Sequence, residues 1–250
     1  MCGNKILKIN YNMDFEIKGT KLVEIPYLEK ELSEQKESDK VLIVGERIAT
    51  EGILQAVLKR PFTSCLCTDI MPMGQSSTLE RIIDGDSRVT FVQQDFILAE
   101  EETKYDYIIC INVLEHFGMN FAEFSGFAGE YAGDDYIRWN HDLRAIEKMI
   151  TLLNKDGKII ITVPAGQPIL SGDINPGNKM PFLRRYDEMR IKLIEQLVNK
   201  NGMKIENTFF YSENFNDWFE SDIVITTPQY SQNNNPYTPN MIWAFTLKQK

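Results

Sequence analysis

Seven short apolar runs, rich in β-branched residues, recur along the chain: VLIVG (41–45), FTSCLCTDI (62–70), RVTFVQQD (88–95), YDYIICINVL (105–114), KIIITVP (158–164), KIENTFFYS (204–212) and MIWAFTLKQ (241–249). Helix-period segments lie between them. Near-continuous apolar strands are what a sheet covered on both faces demands, since neither face meets water. Their alternation with helices implies mostly parallel strands joined by crossovers. The expected fold class is therefore α/β, a Rossmann-like seven-stranded sheet with helices on both faces.

Two of the helices are well defined. Leu143, Ile146, Ile150 and Leu153 recur at helical spacing, with Asn140 placed to cap the start and Asn154 to Gly157 to end it. A second helix runs from about Asp187 to Asn201, with Ile191, Ile194, Leu197 and Val198 on one face and Gly202 as the stop. With 250 residues and 43% hydrophobic content, one core of this kind is affordable to a single domain. Residues 1–39 read as an N-terminal appendage ending in the polar run EKELSEQKESDK, an exposed helix and linker. Residues 40–250 read as the domain proper, with insertions at about 117–139, 165–186 and 214–240. Loops of that length in a compact domain are usually functional or disordered.

Charge and cysteine usage narrow the partners. The net charge is −9, from 27 Lys+Arg against 36 Asp+Glu, and no long basic run could follow a phosphate backbone. Nucleic acid is not expected. Cys2, Cys65, Cys67 and Cys110 form neither a CxxC nor a Cys/His metal spacing, so free thiols and no metal site are expected. The opening residues have no signal-peptide core and no span of about 18 apolar residues. A cytoplasmic protein with no membrane association is expected, with homo-oligomerisation left open.

Chemistry-bearing residues sit at the ends of the first four strands. VLIVGERIATEG puts Gly45 at a tight strand-to-helix turn, but Arg47 and Ala49 stand where a dinucleotide fingerprint has glycines. CLCTDIMP ends strand two on Asp69, suited to the hydroxyls of a ribose. VTFVQQDF ends strand three on Asp95. YDYIICINVLEHFG delivers Asn112, Glu115 and His116 from strand four, and the chain's two histidines, His116 and His141, both flank the insertion that follows.

This order resembles the class I S-adenosylmethionine-dependent methyltransferases, over roughly residues 40–250. The resemblance implies a last strand inserted antiparallel between strands five and six, and S-adenosyl-L-methionine as cofactor. That cofactor has no phosphates to bring against the backbone, so a turn and a helix N-terminus suffice. The resemblance assigns to the cofactor Gly45, Asp69 with Ile70, Asp95 with Phe96, and Asn112. The family's usual acidic residue two positions before the glycine is Ile43 here, leaving Glu46 or Glu51 to meet the methionine ammonium. A narrower resemblance lies in EHFG, GDDYIRWNHDLRAIEKMITLLNKDGKIIITVPAG and FLRRYDEMRIKLIEQL. These strings are similar to sugar O-methyltransferases of bacterial capsule and surface-polysaccharide biosynthesis, which implies a nucleotide-linked sugar as substrate.

A sugar hydroxyl gains from a positioned base. His116 is the preferred candidate, with His141 and Asp142 as further catalytic candidates. Glu115, Asp134, Arg184, Arg185 and Tyr186 are the candidate substrate residues, the arginines through forked donors suited to phosphate. Three rivals stand beside this reading: a small metabolite or amine as acceptor, an NAD-linked oxidoreductase or epimerase, and a non-catalytic partner subunit whose first motif no longer binds cofactor.

Overall fold

The computed structural model describes residues 20–45, 51–70, 78–118, 140–166, 184–214, 217–221 and 241–250. Its helices are α1 (Lys21–Glu31), α2 (Glu51–Leu58), α3 (Thr78–Gly85), α4 (His141–Leu152) and α5 (Glu188–Lys200). Its strands are β1 (Lys40–Val44), β2 (Ser64–Asp69), β3 (Val89–Gln93), β4 (Tyr105–Ile111), β5 (Leu153–Pro164), β6 (Met203–Asn214), β7 (Asp217–Ser221) and β8 (Met241–Gln249). The sheet order is β3-β2-β1-β4-β5-β8-β6-β7. Strands β1 to β5 pair in parallel, and β8 runs antiparallel between β5 and β6. This is the expected sheet with one addition. β7 falls inside the insertion expected at 214–240 and pairs antiparallel with β6, making eight strands among the described residues. Its five residues, DWFES, are too few to carry a pattern that separates a strand from a loop.

Both faces of the sheet are covered. On one, Ile108, Cys110, Ile159, Ile161 and Phe245 meet Ile146 and Met149 of α4 and Ile194 and Val198 of α5. On the other, Val41, Ile43, Ile109, Ile160 and Ala244 meet Leu54 and Val57 of α2 and Val23, Tyr27 and Leu28 of α1. The N-terminal segment read as an appendage thus contributes a core helix from Lys21 onward. The Tyr27 hydroxyl donates to the Asn207 carbonyl at 2.9 Å and shares a hydrogen bond with Thr246 Oγ1 at 2.8 Å. Pro26 inside α1 and the charges after it hide this helix in the sequence, although Leu28 and Leu32 are inaccessible to solvent.

Local chemistry explains the helix ends. Asp187 caps α5, its carboxylate accepting from the Arg190 amide at 2.8 Å, and Gly202 follows with φ +71. Asn140 holds the N-cap position of α4, but its side chain makes no cap bond and accepts from Arg190 Nη1 at 3.4 Å instead. The helix also stops earlier than expected. Leu153 is already extended, so Asn154 to Gly157 belong to a bulged start of β5. No helix among the described residues is long and apolar enough to cross a membrane.

Candidate functional site

The topology brings the carboxyl ends of β1 and β4 side by side, with β2 beyond β1 and β5 beyond β4. Open α/β sheets bind ligands at this crevice. Gly45 leaves β1 with φ +82, its amide donating to the Thr68 carbonyl at 2.7 Å. A Cβ there would lie 2.3 Å from Cγ1 of Val113. The lone glycine therefore serves the contact between the β1 turn and the end of β4. At that end Asn112 adopts φ 56 and its amide donates to the Thr162 carbonyl of β5 at 3.0 Å. Its Oδ1 is buried and has no hydrogen-bond partner among the described residues. A 3-10 turn, Leu114–His116, follows directly.

Around that turn the fold gathers residues far apart in sequence. The Arg184 amide donates to the Glu115 carbonyl at 3.2 Å, and its Nη2 donates to the Phe117 carbonyl at 2.6 Å. Its Nη1 lies 2.6 Å from Asp142 Oδ1. Asp142, fully buried at the start of α4, also receives Arg190 through Nη2 and, at 3.0 Å, through Nε. Ala165 bridges Tyr186, with the Tyr186 amide donating to the Pro164 carbonyl at 2.9 Å and the Gly166 amide to the Tyr186 carbonyl at 3.1 Å. The EH turn, the VPAG end of β5 and the RRY stretch are thus one assembly, held by Asp142.

Several candidates have structural surroundings. Asp142 is enclosed by two guanidinium groups, those of Arg184 and Arg190. Arg184 is buried, with its donors on Asp142 and Phe117. Tyr186 is inaccessible, and burial followed by the charge of Asp142 raises its phenol well above the usual range. Half-buried Arg185 is lowered by desolvation. His141 Nε2 lies 3.5 Å from Arg144 Nη1 of its own helix.

Glu115 is the electrostatic centre of the assembly. It is 2% exposed, and its carboxyl is pushed up to about 8. Burial is the main cause, opposed by a backbone hydrogen bond, raised further by Glu24, and lowered by Lys21 and Arg184. Its Oε1 lies 3.9 Å from His116 Nε2, and its Oε2 has no hydrogen-bond partner among the described residues. Glu24 and Lys21 come from α1 and were not anticipated. Only the apolar spacing of Val23, Tyr27 and Leu28 around Glu24 hinted that this segment reaches the core.

On the β1–β2 side, Asp69 ends β2 half-buried and Ile70 beside it is 38% exposed. Asp95 Oδ1 accepts from the Ile97 amide at 2.8 Å, turning the chain after β3. Phe96 is buried and packs edge-on against Phe117, its centroid 6.2 Å away. Glu46, Arg47, Ala49 and Asp134 lie outside the described residues, and Glu51 is described only as the first residue of α2. Among the described residues, no group of three or more His, Cys, Asp or Glu side chains is placed to hold a metal ion.

A family model described as "Methyltransferase domain" matches residues 30–221. No curated protein matches the chain. Solved structures do. One is the 1,6-didemethyltoxoflavin-N1-methyltransferase of Burkholderia thailandensis with 1,6-didemethyltoxoflavin and S-adenosylhomocysteine bound (TM-score 0.56, 14% identity, covering 91% of this chain and 79% of that one). Another is the N-methyltransferase NodS of Bradyrhizobium japonicum in complex with S-adenosylhomocysteine (TM-score 0.53, 10% identity, covering 90% and 85%). A third is the mitomycin 7-O-methyltransferase MmcR (TM-score 0.50, 11% identity, covering 91% and 54%). At these identities the likeness is one of fold.

Proposed function

Because this chain belongs to the methyltransferase domain family, we propose that it transfers a methyl group from S-adenosylmethionine to a hydroxyl of a small acceptor, with His116 as base. The observation that carries this is the Glu115–His116 pair, set by the turn after β4 beside the Gly45 and Asn112 corners. The residues present fit the cofactor. A half-buried carboxylate, Asp69, ends β2, and Asn112 presents a buried, unmatched Oδ1 at the neighbouring strand end. Asp69 would hold the ribose hydroxyls, and the Gly45 turn and Asn112 would flank the methionine end.

When bound, S-adenosylmethionine supplies an electrophilic methyl group, leaving the protein to place the acceptor oxygen in line. His116 takes the hydroxyl proton onto its imidazole. Glu115 Oε1 lies 3.9 Å from the Nε2 of the imidazolium so formed. The Asp142–Arg184–Arg190 cluster fixes the backbone of the turn through the Arg184 amide.

For the acceptor we favour a nucleotide-linked sugar. Support comes from the resemblance of EHFG, VPAG and FLRRYDEM to sugar O-methyltransferases, and from the base itself, which a hydroxyl needs more than a deprotonated amine does. Two of the structural neighbours are N-methyltransferases by name, which makes an amine acceptor the second reading. Such small, soluble reactants accord with action in the cytoplasm.

Calorimetric titration with S-adenosylmethionine and, separately, NAD tests the first step. Micromolar binding of the former, weakened at least tenfold by Asp69→Ala, is expected; binding of NAD alone sinks the reading. A screen of nucleotide sugars for methyl acceptance follows. His116→Ala should lower kcat on a hydroxyl acceptor by about 10²- to 10⁴-fold, and an acceptor little affected by it would point to an amine.

A further inference from the structure

We propose that Lys148 of α4 is a positioning residue for the adenosine half of the cofactor, because it anchors the single turn, residues 95–99, that links Asp69 to the His116 turn. The S-adenosylmethionine reading supplies the ligand, and the chain's own contacts supply the anchoring. The backbone leaves β3 held against the end of β2. There the Gln94 amide donates to the Asp69 carbonyl at 2.9 Å, and Gln93 Nε2 donates to the Ile70 carbonyl at 3.3 Å. One turn follows. Asp95 Oδ1 accepts from the Ile97 amide at 2.8 Å and from the Leu98 amide at 3.4 Å, and the Asp95 carbonyl accepts from the Ala99 amide at 2.9 Å. Within the turn, buried Phe96 meets Phe117, the residue after His116, edge-on. This short segment thus touches both sides of the crevice.

A lone helical turn is unstable by itself, since three residues must be ordered for one hydrogen bond. Asp95 meets its first amides, and its last carbonyls need donors. Lys148 supplies them from another element. Its Nζ donates to the Ala99 carbonyl and, at 3.3 Å, to the Ile97 carbonyl, and it lies 5.3 Å from the centroid of the Phe96 ring. Hydrogen bonds from an ammonium are stronger than neutral ones, and the ring face adds to the attraction. Ala145, Ile146 and Met149 beside it on α4 are inaccessible to solvent, so the half-buried lysine stem starts from a fixed point. The turn is therefore set by α4 as well as by β3. A chain whose turn is out of place does not present Asp95 and Phe96 to an adenine, and apparent affinity falls with the fraction of chains that do.

The test uses the full chain with Lys148→Met, which keeps the apolar stem and removes the donors, and with Lys148→Arg, which restores them. The probes are S-adenosylhomocysteine and 5′-methylthioadenosine, both of which carry the adenosine. By calorimetry, Lys148→Met should bind each about fivefold or more weakly than the unsubstituted chain, and Lys148→Arg should stay within about twofold of it. Amide exchange at Ala99 should quicken in Lys148→Met while that at Ile109 of β4 does not, which separates a displaced turn from an unfolded sheet. Should Lys148→Met not fold, Lys148→Gln carries the same expectation. Unchanged affinity for both ligands, or a loss for S-adenosylhomocysteine alone, overturns the inference and leaves the methyltransferase reading standing. An unsubstituted chain that binds neither ligand overturns both, so the two failures are distinct.

Discussion

Glu115 is a carboxyl that folding removes from water, and the direction of its shift sets how stability must follow pH. Its folded value of about 8 lies above the usual 4.5, so the native state binds the extra proton. The stabilisation linked to that proton is complete below about 4.5 and is lost as pH rises through about 8. Glu115→Gln, which keeps a neutral side chain, should flatten the fall of the urea midpoint across that window; equal slopes in both proteins would refute it. Gly45 is constrained in another way. Alanine there meets both a left-handed φ and the methyl groups of Val113. Gly45→Ala should cost about 2–5 kcal/mol in urea unfolding, and S-adenosylmethionine affinity should fall with it. The glycine was visible in the sequence, but its partner was not, because Val113 lies 68 positions away and only strand pairing brings them together.

Among the elements, the starts of α4 and α5 are joined by one buried carboxylate. Asp142 receives Arg184 and Arg190, and through the Arg184 amide the pair is attached to the Glu115–His116 turn. Removing one partner of a buried ionic cluster leaves charge without compensation. Asp142→Ala should therefore lose about 3–5 kcal/mol by denaturant titration, and methyl transfer should fall even under conditions where the variant remains folded. A loss confined to activity with full stability would instead make Asp142 a substrate contact. The family resemblance placed Asp142, Arg184 and Tyr186 in one set of motifs. It did not distinguish residues that face a ligand from residues that hold the turn, since that depends on burial.

For the molecule as a whole, the question is whether α1 belongs to the same cooperative unit as the sheet. Leu28 is fully inaccessible in the cluster formed with α2 and the sheet, and Tyr27 is bonded to Asn207 and Thr246 near the opposite end of the chain. Leu28→Ala should destabilise the protein by about 2–5 kcal/mol in a single transition. A separate early transition for α1, with the main one unmoved, would return residues 20–31 to the status of an appendage.

The strands of the sheet were legible because buried parallel strands need unbroken apolar runs, and such runs survive in one dimension, while the place of the last strand came from the family resemblance. So were the strand-end positions of Gly45, Asp69 and the Glu115–His116 turn. The acidic neighbour Glu24, the enclosure of Asp142 and the edge strand β7 were decided by tertiary structure. Charge that is solvated and charge that is buried read alike in a sequence, and only the packing of α1 against β5 and β8 removes the water that makes them differ.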